Sequence, residues 1–243
     1  MENQQIALVT GVSRKMGLGY ETAKQLAEAG YRVIISARDV DQLSDLSNQL
    51  RKEGHNTSAL TIDILSDESV NYAAKEVAEK WHRLDVLINN AGGFYDQGGL
   101  PMEQSFDFVH KAFETNLFGA WRMIKAFVPL LEKSDNGRIV NVSSGAGAFS
   151  DIAFGLIAKG DTTAYGLSKL ALNGLTVKLA AELKSKGIKV NAVCPGFTAT
   201  YPGTAEWGAR PVEEGAKSVV WAATLPKEGP TGGFYRDGKK LPW

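Results

Sequence analysis

The chain has 243 residues, with 27 basic and 27 acidic side chains and a net charge of +0, long enough for one large domain with a substantial core. The balanced charge excludes the basic footprint of a nucleic-acid or membrane-surface binder. One cysteine, Cys194, excludes an internal disulfide framework, and no apolar run approaches the ~18 residues of a membrane span.

The polar opening Met1-Glu2-Asn3-Gln4-Gln5 lacks the apolar core of a signal peptide, so the expected compartment is the cytoplasm. Ile6 to Thr10 reads as a buried strand, and Tyr20 to Ala29 as a helix closed by Gly30. Arg32 to Ser36 is the second strand and Asp39 to Arg51 the second helix. Ser58 to Ile62 is the third strand. Ser66 caps a helix running to about Trp81, with Asp67 and Glu68 in its first turn. Asp85 to Asn89 is the fourth strand. Gln104 to Leu131 reads as one helix whose end Pro129 disturbs. Arg138 to Val142 is the fifth strand, Ala164 to Lys184 a long helix, and Lys189 to Val193 the sixth strand. Val212 to Leu225 is the last helix and Gly233 to Arg236 a final short strand. Cys194, at the end of an apolar run, is expected to pack as a small buried hydrophobe.

Strands apolar throughout, alternating with amphipathic helices, predict an α/β fold: one Rossmann-type domain, a doubly wound parallel sheet of about seven strands spanning residues 1–243. Ligands in such sheets sit at the carboxyl ends of the strands, so the residues there carry the functional argument.

The first strand runs into Thr10-Gly11-Val12-Ser13-Arg14-Lys15-Met16-Gly17-Leu18-Gly19 and then a helix. Glycines let backbone N–H groups approach a pyrophosphate, and the helix N-terminus faces its charge. The second strand ends Ser36-Ala37-Arg38-Asp39. A carboxylate there suits the ribose hydroxyls of NAD, and a basic residue suits a 2′-phosphate. Ala37 stands where the carboxylate is expected, Arg38 follows, and Arg14 and Lys15 add positive charge. NADP(H) is therefore favoured over NAD(H), although Asp39 also offers a ribose partner. Asp63, followed by Ile64, offers an acceptor to an adenine amine. The small residues of Asn89-Asn90-Ala91-Gly92-Gly93 let the chain pass under a bound ring. Ser143-Ser144 places a hydroxyl after the fifth strand, and Pro195-Gly196-Phe197-Thr198-Ala199-Thr200 forms a turn that can flank a carboxamide. Tyr165 and Lys169, four residues apart on the long helix, share one face. An ammonium beside a phenol favours phenolate, which predicts a lowered Tyr165 pKa.

In the order and spacing of these motifs the chain resembles the short-chain dehydrogenase/reductase family over almost its whole length. The segments that carry the resemblance are Thr10 to Gly19, Asp63, Asn89 to Gly92, Asn116, Asn141 to Ser144, Tyr165 to Lys169 and Pro195-Gly196. The segments Pro211 to Ala216 and Gly232 to Gly238 look most similar to its carbonyl-reductase-like members. The resemblance implies a reductase in which hydride passes from the nicotinamide to a carbonyl carbon. Tyr165 is then the general acid, Ser144 polarises the carbonyl oxygen, Lys169 lowers the Tyr165 pKa and holds the ribose, and Asn116 holds a water that connects Lys169 to solvent. The implied cofactor contacts are Gly11, Ser13, Arg14, Lys15, Gly17, Leu18, Gly19, Arg38, Asp63, Ile64, Asn90, Ala91, Gly92, Tyr165, Lys169, Pro195, Gly196, Thr198 and Thr200.

Two departures from the family pattern stand out. The Gly-rich turn carries two extra residues among Ser13 to Met16, and an extra segment around Ala148 to Asp161 separates Ser144 from Tyr165. Phe94, Tyr95, Phe149, Phe154, Tyr201 and Trp207 are the candidate substrate contacts, fitting a hydrophobic carbonyl compound. His55, His82 and His110 lie off the strand ends and form no metal set. The alternatives are an enoyl reductase, whose Tyr and Lys stand further apart, and a non-catalytic NADP-binding sensor. Family resemblance implies a homo-oligomer, dimer or tetramer, with a monomer allowed by the extra segment.

Overall fold

The computed structural model describes residues 4–96, 99–158 and 162–243. Strand β1 (Ile6–Thr10) is buried at all five positions. Successive side chains of a strand point to opposite faces, so this strand needs apolar cover on both sides. It has that cover: Ile6 and Leu8 enter one core cluster, Ala7 and Val9 the other.

The chain continues through α1 (Leu18–Glu28), β2 (Arg32–Ala37), α2 (Val40–Lys52), β3 (Thr57–Thr61), α3 (Asp67–Trp81) and β4 (Val86–Asn89). Then come α4 (Phe106–Phe113), a π-helical turn (Glu114–Gly119), α5 (Ala120–Leu131), β5 (Arg138–Val142), α6 (Thr163–Glu182) and β6 (Lys189–Val193). The last elements are α7 (Val212–Ala223), β7 (Phe234–Arg236) and β8 (Lys239–Leu241). The sheet order is β3-β2-β1-β4-β5-β6-β7-β8, parallel except for the last pair. Helices α1, α2 and α7 cover one face through Leu26, Leu50 and Val219. Helices α3, α5 and α6 cover the other through Val77, Phe127 and Leu175. This is a Rossmann-type, doubly wound α/β fold.

Three features differ from the sequence expectations. The sheet has an eighth strand, which turns back on β7 at Asp237 and Gly238, both at positive φ. The helix expected over 104–131 is divided by the π-helical turn into α4 and α5. Pro129 lies inside α5 and does not end it; its neighbours Phe127, Leu130 and Leu131 are buried and hold the last turn against the core.

Order reverses between β1 and β4, which makes their carboxyl ends the ligand crevice of such a sheet. The two ends are tied together. Thr10 Oγ1 accepts from the backbone N–H groups of Asn90 and Ala91 at 3.1 and 3.0 Å. Gly11 has φ +73°, and a Cβ there would stand 2.6 Å from Ala91 Cα. Only glycine meets both conditions.

Candidate active site

The π-helical turn puts Asn116, 1% exposed, beneath the β4 end. Such turns recur at functional sites because the extra residue re-aims a side chain. Asn116 Nδ2 donates to Gly93 O at 2.9 Å and Ser168 Oγ at 3.0 Å, and its Oδ1 accepts from Gly93 N at 2.9 Å. Both side-chain polar atoms are thus committed to protein partners. A Cβ on Gly92 would approach Asn116 Oδ1 at 3.1 Å and Lys169 Nζ at 3.3 Å, so the three residues converge.

Ser143 and Ser144 follow β5 with different fates. Ser143 is buried and donates to Asn173 Oδ1 at 2.6 Å. Ser144 is half-buried, its Oγ accepts from Ala146 N at 3.2 Å, and its hydroxyl acts on the neighbouring Tyr165 phenol to lower its pKa. The single turn after it packs hard on α6: a Cβ on Gly147 would stand 2.6 Å from the Lys169 backbone. Cys194 adds a second tie. It is 3% exposed, but beyond packing as a hydrophobe its sulfur accepts from Gly145 N at 3.2 Å and Arg236 Nη2 at 3.0 Å.

Tyr165 and Lys169 lie on one face of α6, 7% and 3% exposed. Lys169 Nζ donates to Val142 O at 2.8 Å and lies 5.6 Å from the Tyr165 ring centroid. The expected lowering of the Tyr165 pKa is not found. Burial, reinforced by the neighbouring Tyr95 phenol, raises it well above the ordinary tyrosine value, and Ser144 opposes this only in part. Burial also lowers Lys169 to about 8.

The Gly-rich turn fits a dinucleotide. Gly17 caps α1 without any side-chain hydrogen bond, leaving a helix N-terminus open to an anion. Gly19 packs so closely on Asn90 that a Cβ would meet its Nδ2 at 2.5 Å. Asn90 Nδ2 itself donates to Thr10 O at 2.7 Å and so shapes the turn. Ser13 and Lys15 are exposed, and Arg14 stacks its guanidinium over the Tyr201 ring at 3.8 Å. Arg38 is exposed and makes no ion pair among the described residues. Asp39 accepts from Gln42 N at 3.0 Å and caps α2, so its carboxylate serves the helix. Asp63 is half-buried and accepts from Leu65 N at 3.1 Å, and Ile64 is buried against Gly119. After β6, Pro195, Gly196 and Thr200 are half-buried, whereas Thr198 is buried and turns its hydroxyl back onto Pro195 O and Gly196 O.

The candidate substrate residues divide. Tyr95 lies on Tyr165, ring centroids 4.4 Å apart. Phe154 faces Phe197 at 6.1 Å, so Phe197, in the Pro195-Gly196-Phe197 turn, joins the set although the sequence reading passed over it. Phe94 instead packs edge-on against Phe108 of α4. Tyr201 is engaged by Arg14, while Phe149 and Trp207 are exposed. The extra segment is folded back by Asp151, which accepts from Ala153 N and Phe154 N and from Arg236 of β7; its residues 159–161 lie outside the described part.

The short-chain dehydrogenase family model matches residues 5–208. The chain belongs to that family. It is 37% identical over 235 residues to the short-chain dehydrogenase anuI of Penicillium roqueforti, covering 92% of this chain and 90% of the relative. It is 30% identical to (+)-neomenthol dehydrogenase of Arabidopsis thaliana, covering 96% of each. Among solved structures, a single-substitution variant of actinorhodin polyketide ketoreductase with NADPH superposes with a TM-score of 0.82 at 27% identity, over 97% of this chain and 96% of the other. The chain is thus an oxidoreductase of this family, and none of its helices among the described residues is long and apolar enough to cross a membrane.

Proposed function

We propose that this short-chain dehydrogenase is an NADP(H)-dependent reductase that converts hydrophobic ketones or aldehydes to alcohols, with Tyr165 as the proton donor. One observation carries the reading. A buried phenol, a serine hydroxyl beside it and an ammonium on the same helix face converge at the strand ends where the Gly-rich turn opens.

The raised pKa keeps Tyr165 protonated at neutral pH, the state a proton donor needs. Ser144 polarises the carbonyl oxygen, and Lys169 and the Asn116 tie fix the surrounding backbone. When bound, the nicotinamide supplies the hydride to the carbonyl carbon. The Tyr165 proton goes to the carbonyl oxygen, so the carbonyl is reduced to an alcohol as the cofactor is oxidised. Arg38 and Arg14 supply positive charge for a 2′-phosphate. Tyr95, Phe154 and Phe197 give an apolar wall to an aromatic or bulky substrate. Exposed Phe118, Trp121, Leu167 and Val177 on the neighbouring helical segments fit a homo-oligomer. The relatives' names point the same way: a neomenthol dehydrogenase and a ketoreductase solved with NADPH.

The test is a titration with NADPH and NADH, followed by absorbance at the nicotinamide band against aromatic ketones, aldehydes, quinones, diketones and ketosteroids. NADPH consumption with one carbonyl class, abolished in Tyr165→Phe with NADPH binding retained, is the expected result. Turnover retained in Tyr165→Phe refutes the assignment.

A further inference from the structure

The loop after β4 does more than border the crevice. Helix α6 begins at Thr163, and the side chain of its N-cap residue, Thr162, makes no capping hydrogen bond. The cap comes from elsewhere in the chain. Asp96 Oδ2 accepts from Ala164 N at 2.8 Å, and Asp96 Oδ1 accepts from Tyr165 N at 3.1 Å. Asp96 is 6% exposed, and Gln104 Nε2 donates to its Oδ2 at 3.0 Å, so the carboxylate is held on both sides. Thr163 Oγ1 donates to Gly99 O at 2.8 Å, and Gly99 bridges Thr162. Two residues before Asp96, Phe94 sits at φ 63°, a left-handed conformation that strains a bulky residue and that tends to persist at functional sites. After this strained residue, Tyr95 covers the Tyr165 ring and Asp96 takes the Tyr165 backbone N–H.

We propose that Asp96 is a positioning residue for the reaction: its carboxylate fixes the backbone of Tyr165, and with it the place of the phenol relative to Ser144. This rests on the reading of Tyr165 as proton donor. An ordinary cap contributes stability alone. A cap on the N–H of the reacting residue also sets where its oxygen stands, and displacements near 1 Å cost reaction rate steeply.

The experiment compares Asp96→Ala, Asp96→Asn and Tyr165→Phe in kcat, NADPH affinity, melting temperature and the pH profile of kcat. Asp96→Ala is expected to lower kcat roughly 10- to 100-fold, to leave NADPH affinity within about twofold, and to shift the alkaline limb of the profile. Asp96→Asn keeps one acceptor oxygen and is expected to recover part of kcat. Should Asp96→Ala fail to fold, Asp96→Asn carries the test through its kcat and pH profile. A variant that melts lower but keeps wild-type kcat and pH profile overturns the proposal and leaves Asp96 a plain cap. Turnover persisting in Tyr165→Phe would instead overturn the assignment of Tyr165, a separate failure.

Discussion

The ring of Tyr95 lies over the ring of Tyr165, with centroids 4.4 Å apart and planes tilted by 38°. The Tyr95 hydroxyl raises the Tyr165 pKa both by its proximity and by favouring the protonated phenol. Tyr95→Phe removes both effects and keeps the stacked ring. The Tyr165 pKa is then expected to fall. Reduction needs the protonated phenol, so the alkaline limb of the pH–kcat profile moves to lower pH. For alcohol oxidation, which needs the phenolate, the acidic limb moves the same way and the rate at neutral pH rises. An unchanged profile would show that the Tyr95 hydroxyl does not tune Tyr165.

Arg38 stands exposed at the end of β2, in a place where Asp39 is occupied as a helix cap. Charge-assisted bonds to a phosphate contribute about 1.5–3 kcal/mol. Arg38→Ala is therefore expected to weaken NADPH binding by roughly 10- to 100-fold, with NADH changed about twofold or less. Fluorescence titration with both nucleotides measures this, and equal losses would remove Arg38 from 2′-phosphate recognition.

Lys169 makes a pH-dependent contribution to stability. Burial lowers its pKa to about 8 in the fold, against about 10.4 for an unfolded lysine. The folded state therefore binds fewer protons across that window, and stability rises as pH climbs from about 8 to about 10.4. Below pH ~8 the cost of burying the ammonium is fully present. Lys169→Met removes the charge and is expected to melt a few degrees higher than the wild type at neutral pH, while turnover is lost. The gain should shrink as pH rises through the window. Thermal denaturation across pH checks this; a variant that melts lower by the same margin at every pH would show that the ammonium carries no burial cost.

The strands were legible because burial on both faces leaves short, largely apolar runs, as in Ile6–Thr10, and in Arg138–Val142 and Lys189–Val193 around the buried polar Arg138, Asn141, Lys189 and Asn191. Short β8 carries only one apolar residue, Leu241, and offers no such run. The π-helical turn around Asn116 has no local signature, since its residues suit an α-helix equally well. In the site, Tyr165 and Lys169 stood out by type and spacing, Ser144 by its place after β5, and Asn116 through the family resemblance alone. Asp96 did not stand out, because its partners lie 68 and 69 residues further along the chain. The direction of the Tyr165 pKa was misread for a related reason. The four-residue spacing to Lys169 is local, whereas the burial that prevails over it comes from the whole fold.

The antiparallel return of β8 decides what the sheet presents at its outer margin. Without it, β7 would be the outermost strand, offering unpaired backbone groups beside the buried Phe234 and Tyr235. With it, the margin is a three-residue strand bearing the exposed Lys239 and Lys240 and followed by Pro242, which has no N–H to donate. Short, lysine-bearing margins of this kind are poor templates for a foreign strand. The hairpin thereby guards the apolar β7 against the edge-to-edge association that leads to aggregation.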